Sequence, residues 1–204
     1  MKNFKDLLNE AGGLHMFDVD DTLFHTTAKI HVKDKSGKTV KTLDNKEFNT
    51  HTLEPGHHYD FHEFRSAEKF HKESKPISKM IGKIKSIHKN VKDKPGSKVI
   101  LNTARADFDD RETFLNKFRN HGIDIDDIHV ERAGNIPGNE HPAEKKAQIV
   151  RNHLARKDYK HVTLYDDSLS NLKRLQKMKH EYPHVKFHAY HVQPDGSTKK
   201  LKDD

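Results

Sequence analysis

The stretch Leu14-His15-Met16-Phe17-Asp18-Val19-Asp20-Asp21-Thr22 decides the fold of this chain. Its first four residues form a short, mostly apolar run, which is typical of a buried strand. Acidic residues follow at once, so a strand here delivers carboxylates to its C-terminal end. Ligands of open α/β sheets bind at that end of the strands. The stretch therefore predicts a buried strand that carries a polar site.

Asp18 and Asp20 are expected to share this site, because residues two apart in an extended segment face the same side. Two neighbouring carboxylates repel each other and raise one another's pKa, so a cation is expected between them. Hard oxygen ligands of this kind suit Mg²⁺. The chain has 0 Cys, so a thiolate site is excluded and any metal must bind oxygen or imidazole.

Strand and helix signals alternate along the rest of the chain. Short apolar runs predict strands at 99–101, 128–130, 162–165 and 185–190. Apolar residues at helical spacing predict helices at 77–91 (with Pro76 in the first turn), 114–118 (closed by Gly122), 142–154 and 172–178. This alternation predicts an α/β fold with a mainly parallel sheet.

The segment between the first two predicted strands has a different texture. Alternating residues at 28–33 and 39–43 flank a turn at 34–37, which predicts a β-hairpin. Residues 44–73 are polar, rich in His and dotted with aromatic residues, and we expect a loop with short helical pieces. We expect the aromatic residues there to form a small satellite core. The His residues match no strong metal motif.

Charge and composition limit the partners. The net charge is +7 and hydrophobic residues make up 32%, so the surface is basic and attracts phosphate esters or nucleic acids. Eight Lys lie between Lys75 and Lys98 against one acid, Asp93. They indicate either a nucleic-acid face or the solvent side of an amphipathic helix. No membrane span or secretory signal is present, so we expect a cytoplasmic protein.

Three further polar clusters follow predicted strands or begin a helix. They are Asn102-Thr103-Ala104-Arg105, Lys145-Lys146 and Asp166-Asp167. With Asp18-Val19-Asp20-Asp21-Thr22, they stand in the order found in the haloacid dehalogenase (HAD) superfamily. Phosphatases of that superfamily carry DxDx[TV], a strand ending in Thr or Ser, a Lys and a late acidic pair. The resemblance covers residues 14–192 and implies a Rossmann-like three-layer sandwich.

The resemblance also implies roles for these residues. Asp18 would be the nucleophile that forms an aspartyl-phosphate, and Asp20 would be the general acid and base. Thr103 and Lys146, or Lys145 in its place, would bind the phosphoryl oxygens.

Mg²⁺ would bind Asp18, the backbone carbonyl of Asp20 and Asp167, and Asp166 could share the metal. These roles describe a magnesium-dependent phosphomonoester hydrolase. The alternative is a catalytically inactive HAD-fold protein that acts in binding or phage morphogenesis.

The substrate class is inferred from the insertion and from one motif. Residues 25–95 correspond to the family's first cap position, while 14–24 and 96–192 form the core. This cap is small and polar, so the site stays open to bulky esters. Thr103-Ala104-Arg105 resembles the phosphatase domains of phage polynucleotide kinase-phosphatases. We therefore expect a nucleotide or polynucleotide end, with Ala104 and Arg105 contacting it, although Arg105 could instead form an exposed ion pair.

The two termini carry separate expectations. Residues 1–10, with Leu8-Asn9-Glu10 before Ala11, resemble the capsid-targeting leaders of tailed-phage internal proteins. An amphipathic helix within residues 1–13, packed on the domain, explains the same pattern. Residues 193–204 are polar, and we expect a loose tail.

Overall fold

The computed structural model describes residues 12–138 and 140–202, and these form an α/β fold around a mostly parallel sheet. The strands are β1 (Gly13–Phe17), β2 (Phe24–His25), β3 (Ile30–Lys33), β4 (Thr39–Leu43), β5 (His58–Asp60), β6 (Lys75–Pro76), β7 (Lys98–Thr103), β8 (His129–Arg132), β9 (His161–Asp166), β10 (Lys186–Val192) and β11 (Thr198–Lys200). The α-helices are α1 (Asn45–Thr50), α2 (Ala67–Glu73), α3 (Ser78–Val91), α4 (Arg111–Arg119), α5 (Pro142–Arg156) and α6 (Leu169–Lys177). Short 3₁₀ turns lie at His62–Arg65, Ala133–Asn135 and Met178–His180.

The central sheet has the strand order β11-β10-β9-β1-β7-β8. All neighbours pair in parallel except β10 and β11. From β1 the chain adds β7 and β8 on one side, then returns to add β9 and β10 on the other. The strand order thus reverses between β1 and β9, and ligands of open α/β sheets bind at such a switch point. This architecture is compatible with the Rossmann-like fold expected from the sequence.

Helices cover both faces of the sheet. On one face, the buried residues of α2, α3 and α4 pack against Phe17, Leu101 and Tyr165. On the other face, α5 and α6 pack against Met16 and Leu164. The strands β1 and β9 are buried along their whole length, which is typical of parallel strands between two helical layers.

The insertion forms a small sheet of its own, in the order β4-β3-β5. The predicted hairpin is confirmed as β3 and β4, which pair in antiparallel fashion around the turn at 34–37. The predicted satellite core of aromatic residues is present in part: Tyr59 and Phe64 pack against the buried residues of the hairpin, whereas Phe70 joins the main core and Phe61 is exposed.

The expectation for 44–73 was incomplete, because β5 adds a third strand to the hairpin and α2 packs on α4. The predicted place of Pro76 in the first helical turn was wrong. Pro76 pairs with Phe24 in the β2–β6 ladder, and α3 begins at Ser78.

The C-terminal segment differs from the expected loose tail. β11 pairs with β10 and becomes the sixth strand of the central sheet, and Leu201 packs against the core. Gly196 in the intervening turn has φ +76°, a conformation that favours glycine. The leader predicted in residues 1–10 lies outside the described residues and stays a prediction.

Candidate functional site

Asp18 lies directly beyond the C-terminal end of β1, at the switch point. Its backbone N–H donates to the Tyr165 carbonyl at 2.9 Å, which ties it to the end of β9. The Asp18 side chain is buried, with 6% of the residue exposed. The apolar run before it explains this position, because a strand buried on both faces ends where its side chains turn polar.

An acidic cluster forms around Asp18. Carboxylate oxygens of Asp18, Asp166 and Asp167 all lie within 4.8 Å of one another, so the group could hold a metal ion. The Lys146 ammonium donates to Asp18 Oδ1 and to Asp166 Oδ2, each at 2.7 Å. Four residues from three separate segments, all singled out by the sequence, therefore meet at one edge of the sheet.

The pKa values follow from burial and crowding. Burial raises the pKa of Asp18 to about 7; Asp166 and Asp20 add to the rise, and Lys146 opposes it. Burial also raises the pKa of Asp167, and Asp166, Asp18 and Asp21 raise it further. Burial alone would lower the pKa of Lys146, but Asp166 and Asp18 outweigh that effect and raise it. Lys146 is thus held as a cation among carboxylates that carry excess negative charge.

Asp166 and Asp167 have different surroundings. Asp166 is fully buried and accepts hydrogen bonds from Lys146, the Ser168 N–H and the Asn171 amide, so both of its oxygens are occupied. Among the described residues, the Asp167 carboxylate receives a single long contact, of 3.5 Å from the Thr22 hydroxyl. Asp167 is therefore better placed than Asp166 to give an oxygen to a metal.

Lys145 does not enter the cluster. Its ammonium donates to the backbone carbonyls of Ile136 and Gly138, both at 2.8 Å. Because neighbouring residues of α5 point in different directions, only Lys146 faces the end of β1. The geometry favours Lys146 over Lys145 for contact with a ligand at Asp18.

Asp20 faces Arg105 rather than the acidic cluster. The guanidinium donates from Nε and Nη2 to the two Asp20 oxygens, at 2.8 and 2.7 Å. The Arg105 side chain is 1% exposed, so the exposed ion pair considered for Arg105 is wrong and the pair is buried. A bidentate pair of this kind fixes the orientation of the carboxylate.

The insertion is hydrogen-bonded to the loops that follow β1 and β7. Arg105 Nη1 donates to the Phe64 carbonyl at 2.8 Å, which links Asp20 to the insertion. Asn45, at the start of α1, donates its amide to Asp21 at 2.8 Å. Asp21 has φ 54°, the sole positive φ among described residues other than glycine. Backbone strain of this kind concentrates at functional sites.

Thr103 and Ala104 lie at the end of β7, next to the cluster. Thr103 is fully buried, and its hydroxyl accepts the Arg105 N–H at 3.1 Å. Ala104 is exposed. No described side-chain contact joins Thr103 or Ala104 to Asp18, so their predicted contacts with substrate stay predictions.

Two residues at the site had no role in the sequence analysis. Thr22 is fully buried, and its hydroxyl accepts the Asp167 N–H at 3.1 Å, which joins the loop after β1 to the loop after β9. Asn171 holds both oxygens of Asp166. Thr22 stands inside the motif quoted above and Asn171 follows the late acidic pair, but their contacts with Asp166 and Asp167 depend on the tertiary structure.

Comparisons with known proteins add no relative. A scan against protein-family models found no match, and neither the curated proteins nor the solved structures gave a match to this chain. Among the described residues, no helix has the length and apolar character required to cross a membrane.

Proposed function

We propose that this protein is a magnesium-dependent phosphomonoester hydrolase of the HAD type, with a Rossmann-like three-layer core and a small cap. The observation that carries the proposal is the meeting of Asp18, Asp166, Asp167 and Lys146 at the switch point, with Lys146 Nζ 2.7 Å from Asp18. A buried carboxylate beside an ammonium and an acidic cluster suits nucleophilic attack on an anionic phosphate.

The residues present fit Mg²⁺. Three carboxylates lie close enough to share a cation, and burial with mutual repulsion raises the pKa of Asp18 and of Asp167. Asp18, Asp167 and the backbone carbonyl of Asp20 would hold the ion with hard oxygen ligands. When bound, Mg²⁺ supplies positive charge that offsets the carboxylates and the phosphate.

In the proposed reaction, an Asp18 oxygen attacks phosphorus and the ester P–O bond breaks. Asp20 gives a proton to the leaving oxygen, then takes one from the water that attacks the aspartyl-phosphate and restores Asp18. Lys146 favours the ionised form of Asp18 and would contact the oxygens of the phosphoryl group. Arg105 occupies both Asp20 oxygens, so one of these hydrogen bonds must open before the proton moves.

Hydrolysis of p-nitrophenyl phosphate with Mg²⁺ tests the reaction. We expect Asp18→Asn to lower kcat by about 10³-fold or more, because the nucleophile is lost. Asp93→Asn is the matched control, since Asp93 is exposed and remote from the cluster in the fold. Equal rates of p-nitrophenyl phosphate hydrolysis for the parent and Asp18→Asn would contradict the proposed phosphatase activity.

The proposed substrate class is nucleotide or nucleic-acid phosphate, supported by the net charge of +7 and by the Thr103-Ala104-Arg105 motif. A phosphate-release screen over nucleoside monophosphates, sugar phosphates and 3′- or 5′-phosphorylated oligonucleotides tests it. A preference for sugar phosphates by orders of magnitude in kcat/KM would overturn this class.

One observation favours the second candidate, a binding or morphogenesis protein without turnover. Asp20 is held by two charge-assisted hydrogen bonds, and a carboxylate fixed in this way is a poor proton donor. The same assay separates the two candidates. A binding protein would show Mg²⁺-dependent affinity for phosphate esters and no phosphate release.

A further inference from the structure

A polar cavity lies apart from the acidic cluster, between α3 and the turn that joins β10 to β11. Its volume is about 450 Å³. Its walls carry cationic and hydroxyl side chains and are formed by Lys79, Lys83, Ser86, Ser197 and Thr198, together with Gly196 and the fully buried Ile87. Small-molecule sites have volumes of about 300–1,000 Å³, so this cavity is large enough for more than a single phosphate ion.

The two lysines line the cavity from one helix face. Lys79 and Lys83 are four residues apart on α3, so they project from neighbouring turns. Lys83 is half-buried, with its ammonium 5.5 Å from the centre of the Tyr165 ring, and burial lowers its pKa. Lys79 pairs with Asp195 at 2.8 Å on the surface. Exposed pairs contribute little energy, so an incoming anion can compete for Lys79.

Hydrogen bonds connect the two elements that border the cavity with the loops that carry the acidic site. The Ile77 N–H, directly before α3, donates to the Leu23 carbonyl at 2.9 Å, one residue beyond Thr22. On the other wall, His191 Nε2 donates to the Asp167 carbonyl at 3.0 Å. The cavity therefore has a fixed position relative to Asp18.

The cavity and the acidic cluster share one edge of the sheet. Thr198 pairs with Val192 at the C-terminal end of β10, and the neighbouring His191 pairs with Asp166. From β1 to β11 there are three strand spacings, a separation of roughly 14 Å. A ligand with one phosphate at Asp18 must therefore span roughly this distance to reach the β11 side of the cavity.

We propose that this cavity binds a nucleotide unit of a single-stranded nucleic acid whose terminal phosphate lies at Asp18. The lysines and the hydroxyls of Ser86, Ser197 and Thr198 would contact a phosphodiester. The inference rests on the proposed phosphatase function for the position of the reacting phosphate. The sequence allowed two interpretations of the lysines on α3, a nucleic-acid face or the solvent side of an amphipathic helix. The inference assigns Lys79 and Lys83 among them to nucleic-acid binding.

Fluorescence anisotropy with a labelled, phosphorylated oligothymidylate tests the cavity without turnover. The protein is Asp18→Asn with Mg²⁺, alone or combined with Lys79→Met and Lys83→Met. We expect the two lysine changes to weaken binding on the order of 10-fold at moderate salt. They should also reduce the slope of log K against log salt by about 1.4, or 0.7 for each lost phosphate contact.

Two matched variants complete the design. Lys89→Met removes an exposed lysine from the same helix outside the cavity, and we expect less than about a 2-fold change. Asp195→Asn removes the competing carboxylate, and we expect tighter binding. The cavity assignment is overturned if the double lysine variant binds like Lys89→Met. It is also overturned if that variant loses affinity for thymidine monophosphate as much as for the oligonucleotide.

A kinetic comparison separates this inference from the proposed function. In the catalytically intact chain, the lysine changes should lower kcat/KM for the phosphorylated oligonucleotide about 10-fold more than for p-nitrophenyl phosphate. If the parent hydrolyses neither compound, the proposed function fails, and the anisotropy experiment alone decides the cavity.

Discussion

The strands β1 and β9 carry buried polar clusters at both of their ends, and the two clusters differ in charge. At the C-terminal end, Asp18 and Asp166 are buried together with the cation Lys146. Toward the N-terminal end, His15 and His161 lie on adjacent strands with ring centres 5.4 Å apart, both buried. The same sheet thus buries an ammonium with its carboxylate partners at one end and two imidazole rings at the other.

The groups that act on the pKa of His15 are two other imidazoles and a lysine. Burial, together with the nearby His161, His188 and Lys94, lowers the pKa of His15 to about 3. Gly13 makes room for the rings, since a Cβ there would lie 2.2 Å from His161 Nε2. The comparison shows that buried charge persists in this fold where an opposite charge lies within hydrogen-bond distance.

Removing the cation is expected to give the largest effect. Lys146→Met leaves Asp18 and Asp166 buried without their partner, so we expect a loss of about 3–5 kcal/mol in the free energy of unfolding at pH 8. Urea unfolding in EDTA measures it. Lys145→Met should cost about 1 kcal/mol, because it loses only hydrogen bonds to carbonyls. Equal losses in the two variants would show that the acidic end does not depend on its cation.

The second charged pair of the site should respond in the same way. Arg105→Met leaves the Asp20 carboxylate and the Phe64 carbonyl without their donor, so we expect a loss of about 3 kcal/mol. Arg105→Lys keeps the positive charge but not the bidentate geometry, so its free energy of unfolding should lie between those of the parent and Arg105→Met. Arg111→Met, at an exposed pair, is the control and should cost less than about 0.5 kcal/mol. A loss for Arg105→Met no larger than for the control would contradict the buried pair.

The pH dependence should have opposite signs at the two ends. The folded pKa of His15, about 3, lies below its ordinary 6.5, so the unfolded chain binds the proton first and stability falls as the pH drops below 6.5. The folded pKa of Asp18, about 7, lies above 3.8, so the folded chain binds the proton first and stability rises as the pH drops from 7 towards 4.

Two variants separate these contributions in urea unfolding at pH 8 and pH 5, in EDTA. Between pH 8 and pH 5, the free energy of unfolding of His15→Gln should fall by about 2 kcal/mol less than that of the parent. The free energy of unfolding of Asp18→Asn should fall by more than that of the parent, because the variant lacks the carboxylate whose protonation stabilises the folded parent. If both variants follow the pH profile of the parent, the contrast between the two ends is absent in solution.

The smallest effect concerns a neutral hydrogen bond at the charged end. Thr22→Val removes the hydroxyl that accepts the Asp167 N–H, and we expect a loss of about 1 kcal/mol. The Mg²⁺ concentration for half-maximal activity should rise several-fold, because Asp167 loses its orientation. Thr39→Val, on the exposed strand β4, should change neither quantity. A Thr22→Val enzyme with the magnesium response of the parent would show that Asp167 is positioned without it.

Much of the central sheet was predictable because its strands are apolar runs. The predicted segments 99–101 and 162–165 lie inside β7 and β9, and the segment 185–190 overlaps β10. β5 and β11 were missed because their residues are mostly polar, and only pairing with a neighbouring strand makes them strands.

The candidate site was predictable in part for the same reason. The carboxyl ends of adjacent parallel strands meet at one edge, so residues that follow β1 and β9 had to lie together. The pair between Asp20 and Arg105 was not predictable, since it joins residues 85 apart in sequence through a buried contact. The contact of Asn171 with Asp166 likewise depends on the angle at which α6 leaves the sheet.

The outer strands of the central sheet have a consequence for the protein in solution. An open sheet ends in unpaired N–H and C=O groups that can recruit a strand from another molecule, and charged side chains discourage such pairing. β11 presents Lys199 and Lys200 at one border, and β8 presents His129, Glu131 and Arg132 at the other. Truncation before β11 would expose the unpaired edge of the longer β10. The C-terminal segment therefore covers an edge that could otherwise pair with a strand of another molecule.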